Sequence, residues 1–305
     1  MTQGAAAPLH RRLIAVLPHL GDRVAELLPP PGERCGTPAA VGAARGVGAV
    51  VRQLRGRTEA LVDLGGGARV RVDLDTRHGR RLFAYGFCEP ASRAMRALAR
   101  PAGVVVDGGA NIGLFTVLAA TCVGREGRVV ACEPAPATMA LLRDNVERNG
   151  LHWVTLREAA LAEAPGRLVL RVFDPGSGYA SFAPSDAAGA SEVDVEVTTL
   201  DELAGDELER VTLVKLDVEG AELRALRGAS ALLSGPRPDF IVELEADHLA
   251  RQESTVGEVQ ALFEDAGYVG YSIGETGGFG ALRGTWRPPA RDPNVVVRPR
   301  ERSAA

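Results

Sequence analysis

The chain has 305 residues, a formal net charge of −4 and an ordinary apolar content. That length is generous for one domain and short for two full ones. Charges of both signs are dispersed, which argues against a nucleic-acid partner, and no apolar run is long enough for a membrane span.

Leu9, Leu13, Leu17, Leu20, Val24 and Leu27 recur at roughly helical spacing, interrupted by Pro18. This predicts a kinked helix or two short ones. Met1–His10 lacks the apolar core of a signal peptide, and a cytoplasmic location is expected. Pro29-Pro30-Pro31-Gly32 breaks the pattern, and residues 33–50 read as a Gly/Ala-rich connector. Arg69–Asp75 alternates apolar and charged residues, as a half-buried strand does. With a strand near 58–64 and the turn Gly65-Gly66-Gly67 it predicts a hairpin. Residues 90–100 predict a helix.

From about residue 102 strands and helices alternate, which implies a parallel sheet covered on both faces. The expected strands are 103–107, 128–132, 153–157, 211–217, 238–244, 268–272 and 294–298. The expected helices are 112–122, 136–149, 219–232 and 255–266. Extra β segments at 166–173 and 192–198 flank a Gly/Ser/Pro-rich insertion, 174–190, a candidate substrate lid. Three parts follow: an N-terminal helical arm and linker (1–46), a small β/helical lead-in (47–100) and a main domain (101–300). The arm is a candidate for docking on the body of the protein, on a second subunit or on a partner enzyme. Of the four cysteines, Cys35, Cys88, Cys122 and Cys132, none has metal or redox spacing; Cys122 and Cys132 sit in apolar elements and are expected as buried free thiols, which fits a reducing compartment.

The most informative stretch is Val104-Val-Val-Asp-Gly-Gly-Ala-Asn-Ile-Gly113. Three β-branched residues make a buried strand, Asp107 ends it, and glycines then turn the chain without side chains. In a nicotinamide fold the glycines follow the strand directly and face a pyrophosphate. Here Asp107 would repel a phosphate. S-adenosylmethionine has an amino group, a sulfonium and no phosphate, so it suits the site better. One strand later Glu133-Pro134 places a carboxylate where a ribose diol is held, and a carboxylate accepts two O–H bonds from vicinal hydroxyls.

Val211–Leu223 forms a second constellation. Alternate residues of a strand share a face, so Lys215, Asp217 and Glu219 point together at the carboxyl end of the sheet, where open α/β sheets bind ligands. Lys215 is the only lysine of the chain. Ammonium, unlike guanidinium, can lose its proton when buried. The next strand ends in Glu243 and Glu245, and His248 follows. Transfer to a hydroxyl requires a proton acceptor. The candidates are Lys215 with a lowered pKa, Asp217, Glu219, Glu243 and His248, with the Lys215/Asp217 pair preferred. Strand-end carboxylates also suit magnesium, but the catechol-type pattern is missing and magnesium is not the favoured reading.

These residues resemble the FkbM-type methyltransferase family over roughly 80–298. Asp107–Gly113 is similar to its D-x-G-A-N-x-G loop, with Gly108 where Val or Ile is commoner. Glu133-Pro134 is similar to its E-P pair, Asn145 with Asn149-Gly150 to its N-x-x-x-N-G helix end, and Thr198–Glu202 to its T-x-L-D-x segment. Lys215–Glu222 resembles K-x-D-V-E-G-x-E, the most specific piece, and Pro238–Glu243 resembles the strand after it. The resemblance implies a Rossmann-like, doubly wound seven-stranded sheet of the class I methyltransferase type. It also implies S-adenosylmethionine-dependent O-methylation of a sugar or secondary metabolite. By the same resemblance Asp107, Gly109, Asn111 and Gly113 line the methionine end, Glu133 holds the ribose, Ala160 offers backbone near the adenine, and Asp217 lies close to the methyl donor. An NAD-binding oxidoreductase and a catalytically silent cofactor-binding protein are the alternatives left open.

Overall fold

In the computed structural model the described residues are 59–74, 89–172, 180–181, 191–274, 278–282 and 293–302, with single positions between 76 and 87 and at 286 and 288. The N-terminal helical arm, the Gly/Ala connector, Cys35, Cys88 and most of the 174–190 insertion lie outside them. The chain divides into two units: residues 1–64 with 71–88, and residues 65–70 with 89–305.

The expected hairpin is present as β1 (Glu59–Gly65) and β2 (Ala68–Asp73). Within the first unit Arg71 pairs with Glu59 at 3.0 Å. Leu64, Val72 and Leu74 are buried there.

In the second unit α1 (Pro90–Leu98) leads into β3 (Val104–Gly108), α2 (Leu114–Val123), β4 (Arg128–Cys132), α3 (Pro136–Arg148) and β5 (Val154–Arg157). A smaller sheet follows, built from β6 (Ala160–Leu161), β7 (Gly166–Val172), β8 (Ala180–Ser181) and β9 (Ser191–Thr198). Then come α4 (Leu200–Ala204), β10 (Val211–Leu216), α5 (Glu222–Arg227), α6 (Ser230–Ser234), β11 (Asp239–Glu243), α7 (Ala246–Arg251), α8 (Val256–Asp265), β12 (Tyr268–Ile273), β13 (Phe279–Ala281) and β14 (Asn294–Pro299).

The main sheet runs β5-β4-β3-β10-β11-β14-β12, with β13 added at the β12 edge. Strands β3, β4, β5, β10 and β11 pair in parallel, and β14 is antiparallel to both neighbours. This is the expected doubly wound seven-stranded sheet, lengthened by one short strand. The chain leaves β3 towards β4 and β5, then returns to the other side of β3 as β10. The strand order therefore reverses between β3 and β10, and a crevice opens beyond their carboxyl ends. All five residues of β3 are buried, as a central parallel strand covered on both faces requires.

One expectation changes. The helix predicted over 219–232 is two helices. Gly228 stops α5, and the Asp201 carboxylate of α4 caps α6 by accepting from the backbone N–H of Ala231 (2.8 Å) and Leu232 (2.9 Å). A capping carboxylate from another element cannot be read from local periodicity. Helix α1, in the expected lead-in, packs with α2 and on β11 and β14 of the main sheet. Its buried face is Ala91, Ala94, Met95 and Leu98.

One face of the sheet carries an aromatic core. Phe240 meets Phe263 and Tyr268 edge-on at ring separations of 5.1 and 5.7 Å. Such pairs add about 0.5–1.5 kcal/mol beyond their burial. Of the two described cysteines, Cys132 is a buried thiol and Cys122 is half-buried. No helix among the described residues is long and apolar enough to cross a membrane.

Candidate active site

The crevice is built from two strand pairs. On the first, Asp107 sits one residue before the end of β3, and the chain turns over it through Gly108–Gly113. A side chain at Gly109 (φ +78°) would place its Cβ 1.8 Å from the backbone oxygen of Asp217. Glycine is therefore required where the two loops touch. That approach is locked by the Asp217 N–H donating to the Gly108 carbonyl at 3.0 Å.

Asp107 is buried, and its Oδ2 accepts from the Thr116 hydroxyl at 2.5 Å. Burial raises its pKa to about 6, against the Thr116 hydrogen bond and the Lys215 charge, which lower it. Thr116 was missed in the sequence. The signal was available, because a buried carboxylate needs a donor and the first two turns of the apolar helix α2 offer one side-chain hydroxyl.

Glu133 follows β4 and is also buried. Its Oε2 accepts from the Asn111 N–H at 3.0 Å and its Oε1 from the Ala135 N–H at 3.0 Å. Burial pushes it up to about 7, although the two N–H bonds pull the other way. The carboxylate ties the glycine loop to the Glu133-Pro134 turn and keeps lone pairs for further donors. Asn111 itself has a left-handed backbone (φ +51°). Its side-chain Oδ1 accepts from the Ile112 N–H at 2.7 Å. Asn145 donates to the Ile112 carbonyl at 2.8 Å, so the matched helix-end asparagine braces the glycine loop from α3. Asn149 instead clamps the Arg69 backbone, accepting at 2.8 Å and donating at 2.7 Å. Ala160 is buried at the start of β6, after β5.

On the second strand pair, Lys215 is buried in β10 beside Asp107, its register partner in β3. Its Nζ lies 3.1 Å from Asp217 Oδ2 and 4.9 Å from the centre of the Phe115 ring. Burial alone would lower the pKa of Lys215, but the carboxylates of Asp217, Glu243 and Asp107 outweigh it and the net shift is upward. This corrects the expectation of a lysine with a lowered pKa. The ammonium keeps its proton and serves as a fixed counter-charge, because acidic groups surround it, Asp217 foremost at 3.1 Å. Asp217 is the matching anion. Burial opposes its charge, yet Lys215 holds its carboxyl below the ordinary carboxylate range.

The remaining candidates converge on the same place. His248, in α7, has Nδ1 3.0 Å from Glu219 Oε2 and 3.9 Å from Glu243 Oε2. Neither contact is aligned as a hydrogen bond, and Nδ1 is shielded from solvent. Glu219 has a left-handed backbone (φ +54°). Burial and then the neighbouring charges of Asp217 and Glu222 push it up to about 8. Glu243 is raised further, to about 10, by burial first and then by Asp217. Gly220 (φ +102°) lets this loop lie against α7, since a Cβ there would stand 2.2 Å from the His248 carbonyl oxygen. Glu222 stabilises the turn. Its Oε1 accepts from the Val218 N–H at 3.0 Å and the Gly220 N–H at 3.3 Å. The structure thus joins Lys215, Asp217, Glu219, Glu243 and His248 into one cluster, while Glu245 stands at the start of α7. Among the described residues no group of three or more His, Cys, Asp or Glu is disposed to hold a metal ion.

The profile of the methyltransferase FkbM domain matches residues 107–269. Among relatives, methyltransferase 1 of Beauveria bassiana is 30% identical, with 41% of this chain and 57% of that protein aligned. Methyltransferase sdnD of Sordaria araneosa is 28% identical over 54% and 73% of the two chains. The hexuronic acid methyltransferase AglP of Haloferax volcanii is 33% identical over 47% and 56%. The chain spans little more than half the length of the first and third of these relatives. The profile match begins at Asp107, takes in both carboxylate constellations and β11, and covers more than half of the 305 residues; the chain belongs to the FkbM methyltransferase family.

Proposed function

We propose that the protein transfers a methyl group from S-adenosylmethionine to a hydroxyl oxygen of a small molecule, a sugar or a secondary metabolite. The observation that carries this reading is the pairing of Asp107 and Asp217 at adjacent strand ends, with Glu133 one strand away. The residues fit the cofactor by their chemistry. Burial raises both Asp107 and Glu133, so each gains from a bound cation or hydroxyl donor. Glu133 retains acceptor capacity after its two N–H bonds, as a ribose diol requires. Asp107, Gly109, Asn111 and Gly113 would face the methionine end, Glu133 the ribose, Ala160 the adenine and Asp217 the reacting side.

The cofactor supplies an activated methyl group on a cationic sulfur. The chain orients the acceptor and removes its proton. Lys215 holds Asp217 ionised and in place. The Glu219–His248 pair takes the proton of the acceptor hydroxyl. Its carboxyl is poised near neutrality, which suits a general base, and it lies one loop away from Asp217. The names of the relatives, one of them a hexuronic acid methyltransferase, support a sugar-like acceptor. The catalytic domain is assigned to 101–300, with the lead-in at 47–100 and the arm at 1–46.

Calorimetric titration tests the reading. S-adenosylmethionine and its demethylated product are expected to bind saturably, while NADH gives no heat. Saturable NADH binding, or no heat from either nucleoside, overturns it. Release of labelled methyl groups to a panel of polyols and hydroxylated metabolites then tests the acceptor class.

A further inference from the structure

The two carboxyl groups at the ends of β10 and β11 stand side by side. The parallel register pairs Lys215 with Ile241 and Leu216 with Val242, and its continuation sets Asp217 beside Glu243. The two carboxyl groups therefore face the same place beside a single ammonium, and each shifts the ionisation of the other. Two adjoining carboxylates with one cation between them do not both keep their charge, so one of them carries a proton. Asp217 has the Lys215 ammonium at 3.1 Å. Glu243 has no lysine or arginine that close among the described residues, and its nearest basic atom is His248 Nδ1 at 3.9 Å. The proton therefore belongs on Glu243, and the charge on Asp217.

We propose that Glu243 acts as a neutral carboxylic acid, donating a hydrogen bond to Asp217 and fixing that carboxylate between two donors, Lys215 and itself. It is a positioning residue and not the base. The arrangement holds one anion rigidly at the strand end, with Lys215 on one side and an uncharged acid on the other. The groups facing Glu243 are Asp217 and Lys215 from β10, Glu219 from the following loop and His248 from α7. The assignment stands on the register and the ion pair, and only its consequence for cofactor binding rests on the function proposed above.

The sign of the effect on stability follows from the proton. A group that keeps its proton when folded and loses it when unfolded makes the native state less stable as pH rises between its two ionisations. Glu243→Gln replaces a neutral acid by a neutral amide and removes that slope. Other raised carboxyls are common to both proteins and cancel in the difference.

The experiment is thermal unfolding of the full chain and of Glu243→Gln from pH 6 to pH 9. The variant is expected to gain on the parent by about 2 °C per pH unit. In infrared spectra at pH 9, where Glu219 is largely ionised, the parent should show the carbonyl stretch of a protonated carboxylic acid, and Glu243→Gln should lose most of it. In titrations with S-adenosylhomocysteine, Gln should retain most of the affinity that Glu243→Ala loses, a loss of about tenfold. A parallel pH dependence of the two proteins, no acid band in the parent, failure of the Gln variant to fold, or equal damage by Gln and Ala each overturns the proposal. If the nucleoside does not bind at all, the cofactor reading fails while the unfolding and infrared results still decide the state of Glu243.

Discussion

The two halves of the site treat their carboxylates in opposite ways. Around β3 and β4, Asp107 and Glu133 are held by the chain's own neutral donors: a Thr116 hydroxyl and two backbone N–H groups. Around β10 and β11, Asp217, Glu219 and Glu243 face a lysine, a histidine and one another. The first half is a rigid frame whose groups await a ligand's donors. The second half carries more acid than base, so protons must be shared among its members. Binding is expected to live in the first half and proton movement in the second.

The largest effect should come from the charge that holds the second half together. Lys215→Met leaves the half-buried Asp217 without its cation, which costs about 1–3 kcal/mol of stability. The loss is expected to shrink towards pH 4, as Asp217 takes up a proton. Chemical denaturation at pH 7.5 and pH 4 checks both statements, and an unchanged midpoint at pH 7.5 would remove Lys215 from its structural role.

Asp107→Asn tests the first half in the opposite direction. The folded protein holds the Asp107 proton up to about pH 6, against a reference value of 3.8. The native state therefore loses stability as pH rises from about 4 through 6, and the amide does not. At pH 8 the variant is expected to be more stable by up to roughly 3 kcal/mol. It should also bind S-adenosylmethionine about tenfold or more weakly. Added stability with full affinity would place the ligand elsewhere.

Glu219→Gln addresses the proton acceptor. The rate in the parent protein is expected to rise with pH up to about 8, as Glu219 gives up its proton. The variant should lose that limb and about 100-fold in turnover, with cofactor affinity nearly kept. A retained limb would assign the base to another group.

Much of this was legible along the chain. Val104-Val-Val, the paired glycines and the acids at strand ends are local signals, because strand burial and tight turns are decided by neighbouring residues. The alternation in Val211–Leu216 placed Lys215 and Asp217 on one face, and they meet at 3.1 Å. What was not legible depends on residues distant in sequence. Thr116, nine residues from Asp107, reaches it only because α2 folds back over β3. Asp201 splits a predicted helix by capping residues 30 positions away.

The sequence by itself determined the α/β alternation, the glycine turn after Asp107 and the acids available to the crevice. Periodicity, backbone permissiveness and residue chemistry are properties of short stretches. Only the tertiary structure decided which acids keep their charge. Burial and neighbours set that balance. The lysine expected to give up its proton keeps it, because folding sets it against Asp217.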